Sequence, residues 1–205
     1  HAGKANCEVP PSELKLMTKL HGGDTIYMSA IDKEGNIVSL IQSNYMGFGS
    51  GLVPRGTGFM LQNRGALFTL ERNHPNSLEP RKRPLHTIIP AFMEKENVRI
   101  AFGIMGGWNQ SQAHAQFVSD IVDYQMNIQT ALEVPRFTKP TFDGCDVELE
   151  GRVPLGVRDG LSSKGHRVKV LGDFSSNVGG GQAVLRDFAT GVNYGASDPR
   201  KDGAA

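Results

Sequence analysis

"LHGGDTIYMSAIDKEGNIVSLIQSN", residues Leu20–Asn44, places a threonine at the head of a β-prone run. Two β-prone runs, Ile26 to Ile31 and Ile37 to Ile41, flank "DKEGN", where Gly35 and Asn36 tolerate positive φ. The pattern predicts a β-hairpin. Its first strand is expected to start at Thr25, and pairing about a turn between Lys33 and Gly35 sets that threonine roughly across from Ser43 and Asn44. Hydroxyl, hydroxyl and amide then share one strand end. Two readings of Thr25 stay open on this pattern. In the first, "GGDT" is the turn before a strand and threonine serves β-propensity. In the second, Thr25 is a nucleophile exposed by cutting the Asp24–Thr25 bond. A threonine hydroxyl is weak alone, but a freed α-amine on the same residue can act as its general base, and the reference pKa of about 7.7–8.0 suits neutral pH.

Downstream of the hairpin, Gly47 to Gly58 forms a glycine-rich loop, followed by an expected strand "FMLQN" (Phe59–Asn63). Residues 64–83 read as a long surface loop, a kind of segment that is often functional. A second hairpin, "HTIIPAFMEKENVRIAFGI", is expected to turn at Lys95 to Asn97. After Gly106 and Gly107, apolar residues at Ala113, Phe117, Val118, Ile121 and Val122 have helical spacing, with Asn127 as the expected C-cap. A short helix through Ala131 and Leu132, a strand "DVELE", a helix "PLGVRDGLSSKGH" and strands "RVKVL" and "QAVLRDF" complete the chain. Hairpins come first and helices later, so the expected class is α+β with mostly antiparallel sheet.

Composition narrows the partners. A chain of 205 residues, 39% hydrophobic and 21% charged, suits one large soluble domain or part of a bigger one. Its net charge of +1, with both signs interspersed, gives no reason to expect a nucleic-acid or membrane surface. "RKR", Arg81 to Arg83, reads as a solvated loop or a substrate rim. No apolar run has the length of a membrane span, and the N-terminus has no signal-peptide pattern. The first residue is not methionine, so the chain is expected to be a piece of a longer precursor, which leaves the compartment open. Cys7 and Cys145 make neither a metal pattern nor a disulfide framework. His74, His114 and His166 lack ligand spacing and read as surface or helix histidines. "GFGSG" and "VGGGQ" lack the lysine of a phosphate loop.

An ordered set of motifs goes further. "GDT" at Gly23, "DKEGNIVSLIQS" at Asp32, "GFGSG" at Gly47, "KRPLHTIIP" at Lys82, "GIMGG" at Gly103, "VPRF" at Val134 and "YGASDPR" at Tyr194 follow one another through the chain. In this order they resemble the small subunit of the gamma-glutamyltranspeptidase family, N-terminal nucleophile hydrolases made as self-cleaving precursors. The resemblance implies a four-layer αββα sandwich. It implies that residues 1–24 end a large subunit and that 25–205 form the small-subunit catalytic domain. Thr25 matches the nucleophile, and Ser43 stands where the family has a threonine that contacts the nucleophile's amine. Gly106 and Gly107 match the pair whose N–H groups form the oxyanion hole. His86 and Thr87 occupy the positions of two serines that hold the substrate's α-carboxylate, and His86 departs from that pattern.

A larger departure lies in "LQNRGALF", Leu61 to Phe68. Transpeptidases carry a glutamine and an acidic residue there to hold the γ-glutamyl amine, whereas this chain has Arg64 and Leu67, with Asn63 adjoining as a further substrate contact. Tyr45 replaces an asparagine used in the same task, with Asn44 beside it as a stand-in. The loop from Thr69 to Arg81 is shorter than the lid of many members. These departures resemble the acylase and amidohydrolase branch, which acts on amides of acids other than γ-glutamate. Arg64 facing the pocket is expected to repel an ammonium and bind a carboxylate; its alternative is a loop residue salt-bridged elsewhere. The implied partners are a small-molecule amide and the large subunit, as a heterodimer or a dimer of heterodimers, with no metal or organic cofactor. Two rival functions are a true γ-glutamyl transferase and a catalytically silent homologue with a binding or structural role.

Overall fold

A computed structural model describes residues 23–141 and 144–205. The expected hairpin forms from β1 (Gly23–Ile31) and β2 (Ile37–Met46), paired antiparallel with Tyr27 opposite Ile41. Its turn is tied by the Asp32 carboxylate, which accepts from the Asn36 backbone N–H at 2.8 Å and from the Asn36 side chain at 2.7 Å. Gly35 takes the positive φ there, at 88°, while Asn36 contributes hydrogen bonds instead. The strand begins at Gly23 rather than at Thr25, and the register slips between Asp24 and Thr25. Thr25 faces Ser43 and Asp24 faces Tyr45, so Asn44 is the extra residue of a β-bulge. The segment assigned to a large-subunit tail lies, up to residue 22, outside the described residues.

The second hairpin, β3 (Ala91–Lys95) and β4 (Val98–Met105), turns where expected and joins β8 (Gly180–Asp187) and β9 (Asn193–Ser197) in an antiparallel sheet ordered β3-β4-β8-β9. Alternation along β4 gives this sheet two apolar faces. Ile100, Phe102 and Ile104 meet Ala113 and Phe117 of α1 (Gln110–Val122) and Ile128, Ala131 and Leu132 of α2 (Ile128–Glu133). On the opposite face, Met105 packs with Tyr27 and Ile41 of the first hairpin. Tyr27 lies flat on Gly103, where any Cβ would collide with the ring, so the glycine is what lets the two layers close. Full burial of each large apolar side chain contributes about 1.5–3 kcal/mol, and this two-sided packing sets the hairpin end above the sheet. The molecule is therefore the α+β sandwich the sequence leads one to expect, with hairpin, sheet and helices stacked as successive layers.

A third sheet, β5 (Phe137–Thr138), β6 (Asp146–Leu149) and β7 (Arg167–Val170), has β6 and β7 parallel and joined through α3 (Leu155–Ser163). Several expectations need correction. Phe59–Asn63 is not a strand: Leu61 makes only two backbone bonds, to Ser50 and Leu52 of its own glycine-rich loop. Asn127 does not cap α1, which closes at Asp123; its side chain accepts from Thr130 N–H at 2.9 Å and starts α2 instead. Cys145 is disulfide-bonded, and Cys7 lies outside the described residues. No helix among the described residues is long and apolar enough to cross a membrane.

Of the two expected settings, surface or helix, His114 takes the second: it lies on α1 and is buried against the sheet. Its Nε2 accepts from the Ile104 N–H at 2.9 Å, and its ring centroid lies 5.2 Å from that of Phe102. Burial pushes its pKa down to about 4, against about 6.5 in an unfolded chain. The unfolded state thus takes up the proton first as pH falls. Stability from this group is full above about pH 6.5 and declines toward pH 4, by about 3 kcal/mol in all. Urea midpoints between pH 7 and pH 4 should show this decline in wild type and a shallower one in His114→Gln. An identical slope in the variant contradicts the assignment.

Candidate active site

The bulge sets the chemistry of the hairpin end. Thr25 and Ser43 face each other on the inner side, and the Thr25 hydroxyl donates to Ser43 Oγ at 2.9 Å. Ser43 Oγ also accepts from the Tyr45 N–H at 2.9 Å, which fixes it from the far side of the bulge. Tyr45 takes φ 79°, a conformation that non-glycine residues seldom adopt. Strain of this kind, of order 1–3 kcal/mol, persists where surrounding contacts hold it, and it aims the ring at Arg64.

Arg64 opens a single 3-10 turn, Arg64–Leu67. The segment beginning there was expected to be a surface loop, yet Arg64 is only 1% exposed. Its guanidinium carbon lies 4.8 Å from the Tyr45 ring centroid, and Nη1 donates to Thr87 Oγ1 at 2.9 Å. Nη2 is buried without a hydrogen-bond partner, and no carboxylate among the described residues pairs with Arg64. Burial holds the guanidinium pKa below its usual value, partly offset by Tyr45. Asn63 anchors the neighbouring backbone: its Oδ1 accepts from Met46 N–H at 3.1 Å, and its Nδ2 donates to the Met46 and Gly49 carbonyls. Its own N–H donates to the Asn44 carbonyl at 3.1 Å. Thr25, Ser43, Tyr45, Arg64 and Thr87 thus form one unbroken run of contacts. His86 stands apart from it, with Nδ1 on the Pro84 carbonyl at 2.8 Å.

Gly106 and Gly107 leave β4 directly after Met105, the residue packed under the hairpin. Their φ values of 139° and 57° belong to glycine, so the turn cannot be made with side chains. A Cβ at Gly107 would meet nothing within 4 Å, which leaves room for a reacting group to approach the main chain. A Cβ at Gly106 would press on Gly179 at 3.1 Å, and one at Gly179 would strike the Met105 carbonyl.

Gly179 connects this turn to a buried ionic cluster for which the sequence reading had no role. Arg136 donates to Asp198 at 2.6 Å, to the Leu132 carbonyl at 2.8 Å and to the Gly179 carbonyl at 3.3 Å. Arg200 donates to Glu150 at 2.5 and 2.7 Å and to Asp198 at 3.0 Å. Burial pushes the Glu150 carboxyl up, but Arg200 and the N–H groups of Arg136 and Ser175 outweigh it and leave the pKa below the usual range. Arg136 comes from "VPRF", Asp198 and Arg200 from "YGASDPR" and Glu150 from the strand "DVELE"; only the fold reveals that they meet.

Comparison with known proteins identifies the family. The family model described as gamma-glutamyltranspeptidase matches residues 4–205. The chain is 41% identical over 188 residues to the glutathione hydrolase-like YwrD proenzyme of Bacillus subtilis (strain 168), covering 90% of this chain and 36% of that protein. It is 38% identical over 187 residues to the oxamate amidohydrolase proenzyme of Klebsiella pneumoniae subsp. pneumoniae, covering 89% and 35%. The crystal structure of cephalosporin acylase from Bacillus halodurans superposes with a TM-score of 0.79 at 44% identity, over 87% of this chain and 33% of that one. The chain spans about a third of the length of these relatives. With motifs in family order and a match through nearly its whole length, the chain belongs to the gamma-glutamyltranspeptidase family.

Proposed function

We propose that this chain carries the catalytic small subunit, preceded by the end of the large subunit, of a self-cleaving amide hydrolase or acyltransferase. The observation that carries the reading is the 2.9 Å contact between the Thr25 and Ser43 hydroxyls at a bulge beside the Asp24–Thr25 bond. In the precursor, Thr25 Oγ attacks the Asp24 carbonyl carbon; the C–N bond breaks, an ester forms, and water hydrolyses it to leave a free α-amine on Thr25. That amine then takes the hydroxyl proton as Thr25 Oγ attacks an acyl amide. The N–H groups of the Gly106–Gly107 turn are the donors this reading assigns to the developing oxyanion, a role in which each contributes a few kcal/mol. The proton passes to the departing amine, and water or an acceptor amine resolves the acyl ester.

The large subunit is the expected cover for the outer face of the first hairpin. Ile26, Met28, Val38 and Leu40 project there and are 45–55% exposed in this chain, an apolar patch of a kind that folded proteins bury against a partner. Relatives named as proenzymes at about three times this length fit that arrangement. The full-length precursor, treated with a slowly deacylating amide and digested, should carry the acyl mass on the peptide that begins at Thr25. An adduct elsewhere, or turnover without any adduct on Thr25, overturns the reading.

Ser43→Ala is expected to slow both self-cleavage and turnover by roughly 10- to 100-fold, the size of one lost bond to a charge-developing group. Its unfolding free energy from urea titration should change by no more than about 1 kcal/mol, because the hydroxyl sits at a half-buried strand end. Unchanged rates in this variant remove Ser43 from the site.

A further inference from the structure

Most buried polar side chains have a hydrogen-bond partner, and an exception beside a reacting centre needs a chemical reason. Asn109 is such an exception. It is 5% exposed, and neither its Oδ1 nor its Nδ2 has a partner among the described residues. The residue ends the 3-10 turn Gly107–Asn109 and stands at the N-cap of α1. An asparagine there ordinarily accepts from a backbone N–H of the first turn, but this one makes no such bond. The backbone fixes the glycine pair instead: the Asn109 N–H donates to the Gly106 carbonyl at 3.0 Å, and the Gln110 N–H to the Gly107 carbonyl. In a trans peptide the N–H points opposite to the carbonyl, so drawing the Gly106 carbonyl toward the helix turns the Gly107 N–H away from it. The Asn109 carboxamide has no part in this. A helical side chain leans toward the N-terminus of its helix, which carries the amide back toward the glycines. A Cβ placed on Gly106 would lie 3.6 Å from the Asn109 Cβ, and one on Gly179 would lie 3.3 Å from its Nδ2.

We infer that the Asn109 carboxamide supports the oxyanion from the helix side of the Gly106–Gly107 turn, swinging its Nδ2 end toward the negative charge as Thr25 attacks. The inference rests on the proposed roles of Thr25 and the glycine pair. An amide tied at neither end is free to turn about its last torsion, and in surroundings of low dielectric its dipole responds strongly to a charge that appears nearby. Both its polar atoms are closed to solvent, so it acts across the turn rather than by touching the substrate, as a positioning residue for the charge. The interaction exists only while the oxyanion does. Its effect therefore falls on kcat and not on KM. The same lack of partners works against stability: a buried amide that bonds to nothing is replaced by an apolar side chain of similar shape at no cost to folding, or with a gain.

The test compares wild type with Asn109→Leu, close in shape but without the amide, both as the self-processed full-length enzyme. Acetyl, glutaryl and γ-glutamyl anilides are screened, and the one that wild type turns over fastest is followed. Asn109→Leu should lower kcat by about 10-fold, less than the loss of a directly bonded oxyanion donor, with KM within about two-fold of wild type. Inhibition by the boronic acid of the same acyl chain, which forms a tetrahedral anionic adduct with a nucleophilic hydroxyl, should weaken by a similar factor. Its urea midpoint should equal or exceed that of wild type. Asn109→Ala, which removes the amide without demanding the same fit, should lose kcat by the same factor and decides the matter if Asn109→Leu does not fold. Unchanged kcat, unchanged boronate affinity or a loss carried by KM overturns the inference. So does an Asn109→Leu variant that folds with a lower midpoint, which assigns the amide to a hydrogen-bond partner in the large subunit. Self-cleavage is scored separately: an uncut wild-type chain overturns the Thr25 reading and this inference with it, whereas a cut chain whose variants keep wild-type kcat overturns this inference alone.

Discussion

Thr25→Ala in the full-length precursor is expected to remain a single chain on prolonged incubation and to lose amide turnover by at least about 10³-fold. The size follows from the chemistry. On the proposed mechanism, alanine removes the atom that attacks in both self-cleavage and substrate cleavage, and the Gly106–Gly107 turn has nothing to stabilise without that attack. Folding is not expected to suffer, because Thr25 is half-buried and its hydroxyl makes one hydrogen bond. Thr25→Ser keeps the hydroxyl and should still cleave, which separates lost chemistry from lost structure. Normal processing of Thr25→Ala, read on a denaturing gel, would remove this residue from the mechanism.

The second large effect concerns the ionic cluster joined through Gly179 to the Gly106–Gly107 turn. Asp198 accepts from Arg136, from Arg200 and from the Gly181 N–H, all with its side chain fully buried. Arg136, Arg200, Asp198 and Glu150 balance to zero charge. Asp198→Ala leaves two buried guanidinium groups facing a single carboxylate, and breaking such a network by removing one member costs about 3–5 kcal/mol. The variant should therefore lose much of the stability of the domain, as seen in its urea midpoint. Even where it folds, Arg136 is released from its place beside the Gly179 carbonyl, so the support under Gly106 loosens and processing should slow. An unfolding free energy within about 1 kcal/mol of wild type would show the cluster to be dispensable.

Local signals carried much of this architecture. Alternating apolar residues and a turn rich in positive-φ formers specify both hairpins, and helical spacing specifies α1, because in these segments pattern and packing demand the same thing. Phe59–Asn63 has strand-forming residues but makes only scattered backbone bonds, Leu61 to Ser50 and Leu52 and Asn63 to Asn44, rather than a ladder, and tertiary context overrode propensity. Asn127 shows a different limit: a residue able to cap either end of a helix was given to α1 when it starts α2. Strands as short as Phe137–Thr138 have no periodicity to read. At the site, the Thr25–Ser43 pairing was visible because register follows from the turn. Burial of Arg64 beneath Tyr45 and the meeting of Arg136 with Asp198 depend on contacts between residues far apart in the chain, which no local pattern encodes.

On the proposed mechanism this hairpin end becomes an N-terminal threonine by the chain's own chemistry. The most direct measurement is the first residue of the smaller fragment obtained when purified full-length precursor is incubated alone, read by intact mass and N-terminal sequencing. A fragment beginning at Thr25, absent from Thr25→Ala, is the predicted result; an uncut wild-type chain, or a fragment beginning at any other residue, contradicts the account.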